Sequence, residues 1–244
     1  MKLTILGYSG AYPTEKSGTT AYLLESEGYH LAIDMGSGGF LALKEHLNPL
    51  SLDALILSHY HGDHIADVGV LQYYRQLNQE SGHQILPIYG HQEQECQFKQ
   101  WTIPNVSCGY PIDEHSELDL GPFYLSFLRT IHPVPTFAMR IEEVKTKKVL
   151  VFTADSGYFD SLIDFSKESD VFLADTYFLN GNERNAFHLT AQETGEIGKK
   201  ANVKKIIATH LNDRIDLQQL QKEIEEAAGE IPVLLAHKDL IIEI

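Results

Sequence analysis

The chain has 244 residues, 43% of them hydrophobic and 22% charged, which is enough apolar material for a sizeable core and argues against a disordered or fibrous protein. Its 34 acidic residues against 19 basic ones leave a formal net charge of −15, and such a surface repels polyanions and disfavours a broad track for long nucleic acid. Two cysteines, Cys96 and Cys108, are too few for a disulfide framework and read as reduced thiols.

The opening MKLTILGYSG has one lysine and a short apolar run, without the h-region of a secretory signal. No run approaches the ~18 apolar residues of a membrane span. The expectation is a soluble, cytoplasmic protein that does not engage membranes. Repeats, low-complexity tracts and Pro/Gly/Ser linkers are missing from the sequence, so residues 1–244 read as one domain.

In chain order, short β-rich runs predict strands over 2–6, 21–25 and 30–34, followed by a break at Gly36-Ser37-Gly38-Gly39 and a short helix over 40–47. ALIL, residues 54–57, is a continuous apolar run suited to a strand buried on both faces. Helical spacing of apolar residues predicts a helix over 65–78. The stretch 79–122, with Pro87, Pro104, Pro111 and Pro122, predicts a strand near 86–89, a short helix near 92–100, and otherwise loops. Strands are predicted over 123–130, 137–141, 149–153, 171–174, 205–209, 233–236 and 240–244. A helix over 191–201 opens on the capping box Thr190–Glu193, and one over 217–228 is bracketed by Asp216 and Gly229. Many strands are joined by short turns, so two mixed sheets with helices outside fit better than one doubly wound sheet.

The window SHYHGDH, residues 58–64, directly follows the ALIL strand and offers His59, His61, Asp63 and His64. Imidazole nitrogen and carboxylate oxygen are the donors of catalytic zinc sites. On an extended segment His59 and His61 point the same way, whereas adjacent Asp63 and His64 diverge unless the chain turns at Gly62. That spacing suits two ligand pairs better than one tetrahedral clip. Further ligands are expected where strands end. His132, Asp155 and His210 each follow a predicted strand.

Taken together, LGYSGAYP, AIDMGSGG, SHYHGDHIADVG, IHPVPTFAMRI, FTADSGY, AFHLTAQETGEIG and ATHL resemble the metallo-β-lactamase superfamily, and within it the ribonuclease Z-like and phosphodiesterase branch. The resemblance implies an α/β fold, a four-layer αββα sandwich of two mixed sheets with helices on the outer faces. It implies a hydrolase holding two divalent metal ions, Zn²⁺ first and Mn²⁺ as the alternative. His59, His61 and His132 would hold one ion, Asp63, His64 and His210 the other, with Asp155 bridging. Asp34 matches the family's acidic position behind a ligand histidine, though by itself it also reads as a turn aspartate before Gly36. His188 matches the histidine of the ribonuclease Z-like "H-S-T" or "H-E-A-T" segment, with Leu189 departing from the triplet; an ordinary loop histidine is the alternative.

The implied chemistry is hydrolysis by a hydroxide shared between two metals about 3.5–4 Å apart. Asp63 would take the water's proton and His188 would protonate the departing oxygen. Arg214 is a candidate phosphate contact and equally a solvated loop cation. The short interval from His132 to Asp155 fits one strand pair and leaves no room for the tRNA-gripping arm that ribonuclease Z enzymes insert there. A small phosphodiester or nucleotide is therefore the expected substrate. An RNA endonuclease of the ribonuclease Z kind and a lactone or thioester hydrolase are the alternatives. The latter usually carry a Gly-His-Thr-type third motif where this chain has Ile131-His132-Pro133. A non-catalytic scaffold would show a broken ligand set, and every expected position is filled. Tyr73-Tyr74 is a candidate homodimer contact, with core burial the simpler reading.

Overall fold

A computed structural model describes residues 1–78, 83–183 and 187–244. The start of the polar stretch 79–122 and Ala186 of the AFHL segment lie outside the described residues. Two compact units emerge, one from Met1–Asp113 with His237–Glu243 and one from Glu114–Ala236.

The first unit is built on β1 (Lys2–Ser9), β2 (Gly18–Thr19), β3 (Ala21–Ser26), β4 (Tyr29–Met35), α1 (Gly39–His46), β5 (Ala54–Ile56), α2 (Gly62–Ile65), α3 (Val68–Asn78), β6 (Leu86–His91), α4 (Glu95–Phe98) and β7 (Ser107–Ile112). Its sheet runs β1-β3-β4-β5-β6-β7, with β2 beside β1. The β1-β3-β4 meander is antiparallel, and β4 through β7 are parallel. Each parallel step needs a crossover, which α1, α3 and α4 supply. Leu23, Ala32, Leu55 and Ile88 from the strands share one buried cluster with Leu43 of α1, Val68 and Leu71 of α3, and Trp101.

The predicted helix over 65–78 begins later, as α3 at Val68, and the short α2 precedes it as a separate turn. The Asp67 N–H donates to the Met35 carbonyl at the end of β4, and the Asp67 carboxylate accepts from Phe40 N–H. These long-range bonds anchor the chain at Asp67, and the first takes the N–H that a helix running on from α2 would have given to the Asp63 carbonyl. Residues 107–112, expected as loop, form β7. Pro111 is tolerated there because β7 is the sheet's edge, where the missing N–H breaks no ladder. The helix expected near 92–100 shortens to α4 and a 3₁₀ turn over Lys99–Trp101.

The second unit comprises β8 (Glu117–Leu120), β9 (Phe123–Arg129), β10 (Phe137–Glu143), β11 (Val149–Phe152), α5 (Ser161–Phe165), β12 (Val171–Asp175), α6 (Ala191–Lys200), β13 (Ile206–Thr209), α7 (Leu217–Ala228) and β14 (Val233–Leu235). The order is β14-β13-β12-β11-β10-β9-β8, antiparallel from β8 to β11 and parallel from β11 to β14. β8 and α5 were not foreseen, being too short for a periodic pattern. The capping box of α6 forms as expected, and Asp216 accepts from the Gln218 and Gln219 N–H groups at the start of α7. The chain then returns to the first sheet, where β15 (Ile241–Glu243) pairs antiparallel with β1.

One buried carboxylate ties three neighbouring strand starts together. Asp170, just before β12, accepts from Val149 N–H (2.9 Å) and from the ammonium groups of Lys148 (2.9 Å) and Lys204 (2.8 Å), which precede β11 and β13. Burial opposes its ionisation, but these donors outweigh burial and hold the carboxyl below the usual range. Asp170→Asn is expected to cost roughly 1–3 kcal/mol at neutral pH. A depressed native pKa gives a contribution that is complete above the unfolded value and lost as pH falls through the native one. Urea unfolding at pH 7 and through the acid range checks this; a gap between variant and wild type that does not close in acid contradicts it.

Candidate metal centre

The first donor set stands at the C-terminal ends of β4 and β5. Asp34, fully buried, adopts a left-handed backbone (φ 56°) and becomes the hub of a small network. Its Oδ1 accepts from Ser58 N–H (2.7 Å), and its Oδ2 accepts from the Ser58 hydroxyl (2.7 Å) and from His64 Nδ1 (2.7 Å). Full burial pushes the carboxyl above its ordinary range; the His64 ring and the Ser58 donors oppose that push without cancelling it. Only the carboxylate form has acceptor sites for all three donors.

This network sets the ring tautomers. A carboxylate accepts, so His64 Nδ1 carries the proton and Nε2 keeps the lone pair. Ser58 gives its one proton to Asp34, so its oxygen accepts from His59 Nδ1 (3.0 Å), which frees the lone pair of His59 Nε2. That nitrogen lies 3.1 Å from His61 Nδ1, and His64 Nε2 lies 3.7 Å from Asp63 Oδ2. Asp63 Oδ2 also accepts from the N–H of Ala11, itself left-handed (φ 65°). The main chain at Asp63 runs so close to Gly36 that a Cβ there would sit 2.0 Å from the Asp63 carbonyl oxygen. The glycine in the GSGG break is thus required by a close approach.

The second donor set gathers at the ends of β9, β11, β12 and β13. Ala154 (φ 52°) and His210 (φ 54°) are left-handed, and they turn the chain where Asp155 and His210 project. His132 Nε2 lies 3.7 Å and His210 Nε2 3.5 Å from Asp155 Oδ2. His132 Nδ1 faces the Phe187 carbonyl at 3.2 Å, and His210 Nδ1 faces Asp175 Oδ1 at 3.2 Å. The Phe187 carbonyl only accepts, so in His132 Nε2 is again the lone-pair nitrogen; the His210–Asp175 approach is an ion-pair contact without hydrogen-bond geometry. The other oxygen of Asp175 takes His188 Nδ1 (2.8 Å). Asp155, Asp175, His188 and His210 have ligand atoms within 4.8 Å of one another. Burial lowers the pKa of His188, yet the charge and hydrogen bond of Asp175, joined by Asp155, carry it above the usual histidine value.

These residues fit a zinc-type ion. Metal bonds of about 2.0–2.1 Å in a tetrahedron place donor atoms roughly 3.3 Å apart. The separations of 3.1, 3.5 and 3.7 Å within the two sets have that scale. His59, His64 and His132, each hydrogen-bonded through Nδ1, present the lone pair at Nε2, the donor form metal-binding histidines use.

Sequence reasoning passed over Ser58 and Asp175. Ser58 opens the motif itself, and Asp175 ends the VFLAD strand as Asp155 follows VLVF, so the strand-end rule would have found it. Arg214 is exposed, with its N–H donating to Asn212 Oδ1. Tyr73 is exposed, while Tyr74 packs on Phe40.

Two sheets with this strand order, and His/Asp donors at their strand ends, define a hydrolase-type metallo-β-lactamase fold. Residues 35–211 match the family described as the beta-lactamase superfamily domain, a span that contains every candidate ligand, and the chain belongs to that superfamily. It is 38% identical over 214 residues to the probable metallo-hydrolase YhfI of Bacillus subtilis (strain 168), covering 86% of this chain and 87% of that one. The crystal structure of YhfI, a metallo-beta-lactamase fold protein, matches with a TM-score of 0.93 at 36% identity over 99% of both chains. Human tRNase Z, short form, matches at 0.79 and 22% identity, covering 100% of this chain and 99% of that one. A diphosphatase of the PhnP family matches at 0.78 and 17%, covering 100% and 97%. The last two show a shared fold only. Among the described residues no helix is long and apolar enough to cross a membrane.

If Asp34 fixes His64 as described, Asp34→Asn is expected to weaken Zn²⁺ binding by about 10–100-fold, the usual cost of losing such a partner. Competition titration against a chelating dye measures it. Unchanged affinity would show that the network does not orient the donors.

Proposed function

We propose that the chain is a dinuclear metal-dependent phosphodiesterase acting on a small phosphodiester or nucleotide. The assignment of ligands follows the family pattern: His59, His61 and His132 to one ion, Asp63, His64 and His210 to the other, Asp155 to both. When bound, such ions acidify water and polarise a phosphoryl oxygen. Zn²⁺ suits the donors, and Mn²⁺ is the alternative.

The observation that carries the phosphodiester reading is the His188–Asp175 pair. Asp175 holds His188 by Nδ1 and raises its pKa against the pull of burial, so this ring, within the second donor set, takes up a proton more readily than an ordinary histidine. An alkoxide departing from phosphorus needs a proton, whereas a thiolate, with a thiol pKa of about 8.5, departs without one. A positioned proton donor therefore favours phosphodiesters over thioesters. Asp63, the proposed acceptor of the water's proton, already takes a hydrogen bond from Ala11 N–H, which fixes its carboxylate.

Two observations support a small substrate. The interval between His132 and Asp155 is filled by the β10–β11 hairpin, paired from Met139–Phe152 to Glu142–Val149. The net charge of −15 works against long polyanions. The tRNase Z similarity keeps an RNA endonuclease as the second reading. Soluble cytoplasmic residence and a homodimer through the exposed Tyr73 belong to the same proposal.

His188→Ala is expected to lower kcat on a cyclic nucleotide, whose ribose alkoxide must be protonated to depart, by ~10²–10⁴-fold with metal content unchanged, and far less on bis-p-nitrophenyl phosphate, whose p-nitrophenolate departs without a proton; His61→Ala should lose metal and activity together. A substrate panel that adds a lactone and a thioester decides the class; preferential turnover of either would overturn the reading.

A further inference from the structure

We propose that Tyr177 is a further substrate contact, its hydroxyl donating a hydrogen bond to a phosphoryl oxygen of the phosphodiester beside His188. This rests on the phosphodiesterase reading above. Tyr177 lies just past β12, two residues after Asp175, and its N–H donates to the carbonyl of Leu189, the residue after His188 (3.1 Å). The main chain just after the proton donor is therefore hydrogen-bonded to the main chain of the tyrosine.

The ring is held from three sides. It lies 5.1 Å from the His188 ring at 33°, 5.7 Å from the His210 ring at 42°, and edge-on to Phe178 at 4.9 Å. The phenol thus touches both the proposed acid and a proposed metal ligand. A phenylalanine would serve all three ring contacts equally well. A phenylalanine would lack the hydroxyl, which has no hydrogen-bond partner among the described residues and is not one of the fully buried polar atoms, so it stays open to solvent on a half-buried side chain. Beside an acid and a ligand histidine, a solvent-open phenol O–H is placed to meet an oxygen that arrives with the substrate.

A phenol keeps its proton at neutral pH, so it can donate but not act as a base there. In the hydrolysis, the water oxygen forms a new bond to phosphorus and the bond from phosphorus to the departing oxygen breaks. His188 supplies the proton to that oxygen, and Tyr177 keeps its own. Its hydrogen bond strengthens as negative charge gathers on the phosphoryl oxygen, the requirement for lowering a barrier rather than merely binding.

The test compares wild type, Tyr177→Phe and His188→Ala as metal-loaded enzymes on bis-p-nitrophenyl phosphate, with inorganic phosphate as inhibitor. Tyr177→Phe should lower kcat about 10–100-fold, less than the ~10²–10³-fold of a fully buried donor. Phosphate should inhibit it about 5-fold more weakly, with metal content and thermal midpoint unchanged. Wild-type kcat and inhibition in the variant would overturn the proposal, as would a loss of metal or of thermal stability that accounts for the change. If wild type turns over a lactone or thioester and no phosphodiester, the underlying reading fails first, visibly and in the wild-type arm.

Discussion

A neutral imidazole offers a lone pair from only one of its nitrogens, and the partner of the other decides which. The candidate centre depends on that constraint. Ser58 fixes His59, Asp34 fixes His64 and the Phe187 carbonyl fixes His132, while Asp175 lies 3.2 Å from His210 Nδ1 as an ion-pair neighbour. In the first three rings Nδ1 is hydrogen-bonded and Nε2 is left as the donor. His61 stands apart, presenting Nδ1 to His59 Nε2. Without these partners each ring could rotate or exchange tautomers, and the close spacing of nitrogens would lose its chemical meaning.

The backbone that holds the partners is locally strained. Asp34, Ala154 and His210 adopt left-handed conformations at strand ends, and Ala11 does so where it bonds Asp63. Each such residue costs on the order of 1–2 kcal/mol. The cost is offset because the strands behind them are buried along their length, as in β5, β11 and β13. Both sheets repeat one plan, an antiparallel meander followed by parallel strands. The parallel strands end at the donors, where α/β folds place their ligands.

Much of this was legible beforehand, because donor type, strand ends and capping are local signals. SHYHGDH, and the residues following VLVF and KIIAT, declare themselves through residue type and position. Thr190, Glu193, Asp216 and Gly229 bracket α6 and α7 where those helices occur. The misses were tertiary. Asp67 breaks the predicted helix because it bonds Met35 and Phe40, far away in sequence. β7 forms despite Pro111 because it lies at an edge, which only the complete sheet reveals. Ser58 and Asp175 bind no metal in the proposal. Their role is to hold rings, and that becomes visible only through the distances to those rings.

The same pair of carboxylates separates two tasks. Asp34 serves a proposed ligand, whereas Asp175 hydrogen-bonds His188, the proposed proton donor, with one oxygen and lies 3.2 Å from His210 Nδ1 with the other. In the proposed reading, the His188–Asp175 pair is what separates a hydrolase acting on poor leaving groups from a passive metal clip. The central claim is that these donors serve two metal ions. Elemental analysis of the purified, folded chain measures it most directly: the account predicts two divalent ions per chain, and a single ion or none after reconstitution with excess zinc or manganese would contradict it.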